Sequence, residues 1–433
     1  MGCSINDTYL SILRRELVAA MGCTEPMAIA YAGAKAREVL GEAPTRCRIA
    51  CSGNIIKNVM GVTVPNSGGM KGIEIAALLG IVGGDASQAL EVLASITEAH
   101  RQAAKALLGT GFCVCEHLES AENLNIIIAL EGEHHSVELE IRDTHSNVVR
   151  MVKDGAVILD GGTCADGPGP DAENPDDYAL LNVRDILAFA DAVALEDIDA
   201  LISRQIEYNT AIADEGLAKE YGAEVGRTLL GAYGAEGSGA HHTAIKAAAH
   251  AAAGSDARMS GCAMPVVINS GSGNQGITVT LPVVIYAREL GVSREKLLRA
   301  MVVSNLISMH QKKYIGRLSA YCGAVSAACG SGAAICYLLG GTYDEISGTI
   351  VNTIANIGGM VCDGAKPSCA AKIASAVHAA LLGLYLSQGK NIFQPGDGLV
   401  KQDVEGTIAS VGRMGRRGMK PTDEEIIQIM LEK

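Results

Sequence analysis

Residues 316–373 hold two runs, G-R-L-S-A-Y-C-G-A-V-S-A-A-C-G-S-G-A-A-I-C from Gly316 to Cys336 and G-G-M-V-C-D-G-A-K-P-S-C-A-A-K-I from Gly358 to Ile373. Five of the 13 cysteines fall here: Cys322, Cys329, Cys336, Cys362 and Cys369. The first run is small and apolar on all sides, as in a helix buried within a bundle, and predicts one helix over 317–339. Cys322, Cys329 and Cys336 then share one stripe, each two turns or ~10.5 Å from the next. That spacing is awkward for two ligands of one inorganic centre, so Cys329 and Cys336 read as small core residues. Cys362 and Cys369 bracket D-G-A-K-P-S, a Gly- and Pro-containing turn that can aim both thiolates at one centre. One helical cysteine plus these two makes three thiolates. A four-iron cluster held by three thiolates keeps one iron open, as catalytic metal sites keep a free position. None of the compact C-x₂-C patterns is present.

Outward from this stretch, the chain of 433 residues is long enough for more than one core. Hydrophobic residues make up 48%, Trp is absent and Phe occurs three times, so Ala, Val, Ile, Leu and Met must fill the interior. The net charge of −13 argues against nucleic acid, which demands clustered Lys and Arg. No apolar run is read as a membrane span. Residues 5–21 carry Asp7, Arg14, Arg15 and Glu16 and predict no signal core. Met1-Gly2-Cys3 hints at lipidation, but Asn6 stands where a myristoylation signal wants Ser or Thr. Reduced thiols and a cytoplasmic location are expected.

Towards the N-terminus, a first helix through Leu10, Leu13, Leu17 and Met21 is expected to stop at Gly22. Gly22-Cys23-Thr24-Glu25-Pro26 then opens a second helix, 27–40. Cys23 sits ahead of that helix, whose dipole lowers a thiol pKa. Helices are expected over 68–83 and 85–109, the second with an Asp85 cap. From Gly111 to Leu159 the pattern becomes short alternating strands, with a hairpin at Glu131-Gly132-Glu133, predicting an antiparallel sheet. Asp160 to Asp177, dense in Gly, Pro and Asp, reads as a linker. Beyond it nearly everything is helical, including 276–290 and 369–387. The expected fold is α+β. Residues 1–42 join a helical domain, 43–160 form a smaller inserted α+β domain, 161–178 link, and 179–433 carry the helical bundle. Such an Ala- and Gly-rich bundle often forms a homo-oligomer.

Cys51-Ser52-Gly53-Asn54 echoes Gly271-Ser272-Gly273-Asn274. Asn supplies donor and acceptor, and Gly lets backbone approach closely. Ser52, Asn54, Ser272 and Asn274 are therefore candidate binders of an amino acid, with ordinary Gly-rich turns as the bland reading. Lys57, Arg258 and Arg317 are further candidates for its carboxylate.

The cysteine runs resemble the alpha region of iron–sulfur L-serine dehydratases. With M-G-C-T-E-P from Met21 and A-R-M-S-G from Ala257, the chain more closely resembles the L-cysteine desulfidase branch of that superfamily. The resemblance spans Met21 to about Lys372. It implies a [4Fe-4S] cluster on Cys322, Cys362 and Cys369, with Cys329 not a ligand. The dehydratases have a Ser-rich stretch with His and Thr in place of 23–26. That departure points to Cys23 as the acid/base group or a displaceable fourth ligand. The implied reaction is β-elimination of L-cysteine to sulfide, ammonia and pyruvate without pyridoxal phosphate. Alternatives are L-serine dehydration by the same chemistry, or a non-catalytic metal-binding or redox-sensing protein.

Overall fold

The computed structural model describes residues 5–120, 122–161, 175–233 and 239–432. Most of the expected linker, 162–174, lies outside them. The chain runs α1 (Ile5–Glu16), β1 (Ala19–Met21), α2 (Thr24–Leu40), β2 (Arg46–Ser52), α3 (Gly53–Met60), α4 (Ile73–Gly83) and α5 (Glu98–Leu107). Strands β3 (Cys113–Leu118), β4 (Asn125–Glu131), β5 (Ser136–Arg142), β6 (Val148–Lys153) and β7 (Ala156–Asp160) follow. Then come α6 (Pro175–Ala179), α7 (Val183–Ala192), α8 (Leu195–Ala218), α9 (Val225–Tyr233), α10 (Ala240–Met259), β8 (Pro265–Val267) and α11 (Gly273–Leu290). The chain continues with α12 (Arg294–Ile315), α13 (Gly323–Leu338), α14 (Tyr343–Ile357), α15 (Cys369–Gln388), α16 (Val404–Arg413) and α17 (Lys420–Leu431).

The fold is α+β. Six strands form one sheet in the order β3-β2-β4-β5-β6-β7. Alternation builds it: Val137, Leu139 and Ile141 of β5 are buried while their neighbours are not. The sheet departs from the antiparallel expectation at one place, since β2 and β3 run parallel with Cys47 opposite Cys113. The intervening helices supply the crossover that parallel pairing requires. Helix α2 packs on β4, β5 and α4, so this segment of 1–42 lies against the sheet. Helices α7–α16 form the second layer, in which α13 touches α11, α12, α14 and α15. Alanine and glycine along α10 and α13 let these axes approach, and nearly every α13 residue is buried.

Several boundaries differ from expectation. Helix α1 ends at Glu16, and Ala19–Met21 instead pairs antiparallel with β8, joining the N-terminal segment to the bundle. The helix expected from Gly68 begins at Ile73. The one expected over 85–109 is broken: Asp85 caps a short 3₁₀ turn, Ala86–Glu91, and Thr97 starts α5 with a capping box. Helix α11 begins three residues early, because Ser272 caps it. Helix α15 is the one described helix long and apolar enough to cross a membrane, and it packs against α10, α13 and α14.

Asp256, near the end of α10, accepts from Gly226 N (3.0 Å) while its Oδ1 has no partner. Burial pushes its carboxyl up to about 6. A folded pKa above the unfolded value means the native state holds the proton more tightly. Stability therefore falls as pH rises from about 4 to about 6. Asp256→Asn is expected to be more stable than wild type by about 2–3 kcal/mol at pH 7 and similar near pH 4. Denaturant melts at the two pH values check this.

Candidate active site

Cys322 and Cys362 are brought together by backbone pairing. Tyr321 and Val361 form an antiparallel bridge, Cys322 N donates to Met360 O (3.0 Å), and Cys362 N donates to Ala320 O (2.6 Å). The helix expected from 317 starts only at Gly323, so Cys322 is its N-cap, in extended conformation, rather than part of the stripe. The pairing with residues 360–362 holds 320–322 out of the helix. Cys369 opens α15. The loop between Cys362 and Cys369 is clamped by α3: Lys57 Nζ donates to Cys362 O (3.3 Å). Gly364 adopts φ +93°, and a Cβ there would lie 2.2 Å from Lys57 O. Only glycine suits both the conformation and the approach.

All three thiols line one cavity of about 100 Å³. Cys23, Glu25, His145, Arg258, Ser272 and Asn274 line it as well. Four helix N-termini meet there: Cys23, Ser272 and Cys322 cap α2, α11 and α13, and Cys369 begins α15. Their dipoles favour negative charge in the cavity. Burial, then the neighbouring Cys362, pushes the Cys322 thiol up to about 12, and burial raises Cys369. Lys312 is buried alongside. Burial brings its ammonium down to about 8, against the pull of Cys362 and Cys322. Cys329 and Cys336 are fully buried in α13 and do not line the cavity.

A hydrogen-bonded group around Glu25 also lines the cavity, and its Cys23 packs near Cys369. The Cys23 thiol donates to Glu25 Oε2 (2.9 Å) and Asn58 Nδ2 donates to Oε1 (3.1 Å). His145 Nε2 lies 3.8 Å from Oε1, too far for a hydrogen bond, and has no other partner. Burial alone would raise the Glu25 carboxyl, but His145 and Cys23 hold it at about 2. The expected lowering of the Cys23 thiol is overturned. Burial, then the Glu25 charge, push it well up, and both outweigh the helix end and Arg258. Cys23 keeps its proton, shared with Glu25.

The two Ser-Gly-Asn loops share local structure, each a strand end passing into a helix N-terminus, but not surroundings. Ser272 and Asn274 line the cavity. Ser52 and Asn54 do not: Ser52 Oγ donates to Asn123 O (3.0 Å), and Asn54 Nδ2 donates to Asp423 Oδ2 (2.7 Å). Lys57 pairs with Asp423 behind the cysteine loop, nearly fully buried. Arg317 pairs with Glu16 (2.7 Å) at the cavity rim. Asp423→Ala leaves Lys57 buried without its counter-charge, and a stability loss of about 3–5 kcal/mol is expected in denaturant melts. His145 was not singled out from sequence. It sits in the turn between β5 and β6, where D-T-H-S-N resembles any polar turn. Glu25 lies within the quoted G-C-T-E-P, which gave it no role.

Fold and cavity define an α+β protein in which three thiols and a carboxylate–thiol–imidazole group line one small cavity. The chain belongs to the serine dehydratase alpha chain family, whose model matches residues 87–428. Among its relatives are UPF0597 proteins of Lachnoclostridium phytofermentans, 50% identical over 98% of this chain and 99% of the relative, and of Desulfitobacterium hafniense, 51% identical over 98% and 96%. Another, of Treponema denticola, is 46% identical over 99% of both chains.

Proposed function

We propose that the chain is a cytoplasmic lyase that eliminates the β-substituent of L-cysteine, giving sulfide, ammonia and pyruvate, with a [4Fe-4S] cluster on Cys322, Cys362 and Cys369. The observation that carries this is one cavity lined both by three thiols and by proton-handling groups. The donor set fits a cluster. Three thiols line one cavity on which four helix N-termini converge, and in a cluster each thiolate binds a separate iron. When bound, the cluster supplies a Lewis-acidic iron with an open position.

The chain's own residues supply the proton transfers. His145 lines the cavity, and its Nε2, without a hydrogen bond, takes the Cα proton in place of Cys23. Glu25 stabilises the imidazolium so formed. The Cys23 thiol, donating to Glu25, holds that carboxylate in place, and the sulfur leaves as HS⁻. The aminoacrylate released takes up water and becomes pyruvate and ammonia.

The family model's description favours a second reading in which the leaving group is the hydroxyl of L-serine. Anaerobically purified protein offered L-cysteine and L-serine separately tests the choice. Sulfide with pyruvate from L-cysteine, at higher kcat/KM than pyruvate from L-serine, is the expected result. The reverse order favours the dehydratase, and bound metal without either product favours a non-catalytic role.

A further inference from the structure

Arg258 ends α10 and is 2% exposed. Its guanidinium makes no hydrogen bond or ion pair with a described residue, and Nε is wholly shielded from solvent. A buried cation without a partner is among the most costly arrangements in a folded protein, so such a group points to an anion that arrives from outside. The guanidinium lies against Gly273, where a Cβ would be 2.3 Å from Nε. It therefore rests on the first residue of α11, whose helix end also favours an anion.

Two further unpartnered atoms of opposite character adjoin it. Asn274 Oδ1 and Gln275 Oε1 are buried acceptors with no donor, and both side chains line the same cavity. Asn274 Nδ2 is turned to Met259 Sδ (3.6 Å), leaving the oxygen free for another donor. A cation site with two acceptors beside it matches the carboxylate and ammonium of an α-amino acid. The two lysines of the cavity are already engaged: Lys312 Nζ donates to Arg317 O (3.2 Å), and Lys372 pairs with Asp363 and donates to Val361 O (2.8 Å). Arg258 adjoins Met259, which packs with Cys23, and both Arg258 and Cys23 line the cavity.

We propose that Arg258 anchors the α-carboxylate of the substrate while Asn274 Oδ1 and Gln275 Oε1 receive its ammonium group. This deepens the elimination reading and rests on it for the identity of the substrate. It makes Arg258 a specificity-determining residue, since a planar fork pairs with a carboxylate through two parallel bonds. A β-substituted amine lacking the carboxylate is then excluded. Gly273 becomes a requirement of the anchor, because any side chain there displaces the guanidinium.

The test is calorimetric titration of the anaerobic, metal-loaded protein with L-alanine, which has no leaving group, and with ethylamine, which has no carboxylate. Wild type, Arg258→Gln, Arg258→Lys and Gly273→Ala are compared, with iron content and ligand-free thermal midpoint recorded for each. Wild type is expected to bind L-alanine and not ethylamine. Arg258→Gln weakens L-alanine binding at least ~100-fold, Arg258→Lys and Gly273→Ala weaken it by less, and iron content is unchanged. The ligand-free midpoint of Arg258→Gln is expected to equal or exceed that of wild type, because an unpaired buried charge is removed; a purely structural arginine predicts a fall. The proposal is overturned if wild type does not bind L-alanine, if Arg258→Gln binds it within threefold of wild type, or if Arg258→Gln loses iron in proportion to binding. The reaction is judged separately. Arg258-dependent L-alanine binding without sulfide or pyruvate release from wild type sinks the elimination reading and leaves the anchor. Unaltered KM for L-cysteine in Arg258→Gln sinks the anchor and leaves the elimination reading.

Discussion

Cys322→Ser, Cys362→Ser and Cys369→Ser are each expected to lose bound iron and sulfide release together, turnover falling at least ~100-fold. Changes one shell further from a metal already cost about 10–100-fold in affinity or activity. A serine hydroxyl is a much poorer ligand than a thiolate for iron. The cysteines differ in how they are held, which sharpens the expectation. Cys322 and Cys362 are tied by the Tyr321–Val361 bridge, whereas Cys369 stands at the start of its own helix. The folded backbone therefore survives each exchange, and the loss registers in metal content before it registers in stability. Cys329→Ser and Cys336→Ser supply the contrast. Both side chains are fully buried in α13 and outside the cavity, so iron is retained. Iron and sulfide content, measured beside unfolding curves for all five variants, checks the division.

His145→Asn is expected to lower kcat by about 10²–10⁴, the usual contribution of a positioned acid or base, with iron content unchanged. Asn retains a polar group in the turn but cannot carry the proton. Cys23→Ser is expected to lose much less, about tenfold or under, because a serine hydroxyl still donates to Glu25. The comparison matters because the sequence points to Cys23 as the acid/base group, whereas the proposal gives the proton-taking role to His145. A helix N-terminus next to a thiol argues for a reactive thiolate when only the chain is in view. Burial and the Glu25 carboxylate two residues on reverse the sign. A larger loss in Cys23→Ser than in His145→Asn would return the proton-taking role to Cys23.

What was legible in the chain is what local sequence controls. Gly364 and Pro367 between Cys362 and Cys369 marked a turn between helices, and a turn lies there. The alternation of 136–142 marked β5, and the small-residue runs marked the buried helices. The Ser-Gly-Asn echo marked two loops that each follow an apolar extended run, and each leads into a helix N-terminus. Which of them faces the cavity was not legible. That depends on Asn123 and Asp423 occupying Ser52 and Asn54, partners 69 to 369 residues away. The position of Cys322 was hidden for the same reason: its local sequence favours helix, and pairing with residues 360–362 overrides it. His145 reaches Glu25 from the sheet, 120 residues along the chain, and no spacing rule connects a β-turn histidine to a helix-start glutamate. The parallel β2–β3 pair was missed because alternation reports which face is buried, not which way a neighbour runs.

The central claim is that three thiols of one cavity hold a cluster used for elimination. Its most direct test is the iron and sulfide content of anaerobically purified protein, followed on the same sample by sulfide and pyruvate release from L-cysteine. About four iron and four inorganic sulfide per chain, with sulfide and pyruvate released together and both lost on exposure to air, is the predicted result. Undiminished release of both products by protein free of iron would contradict it.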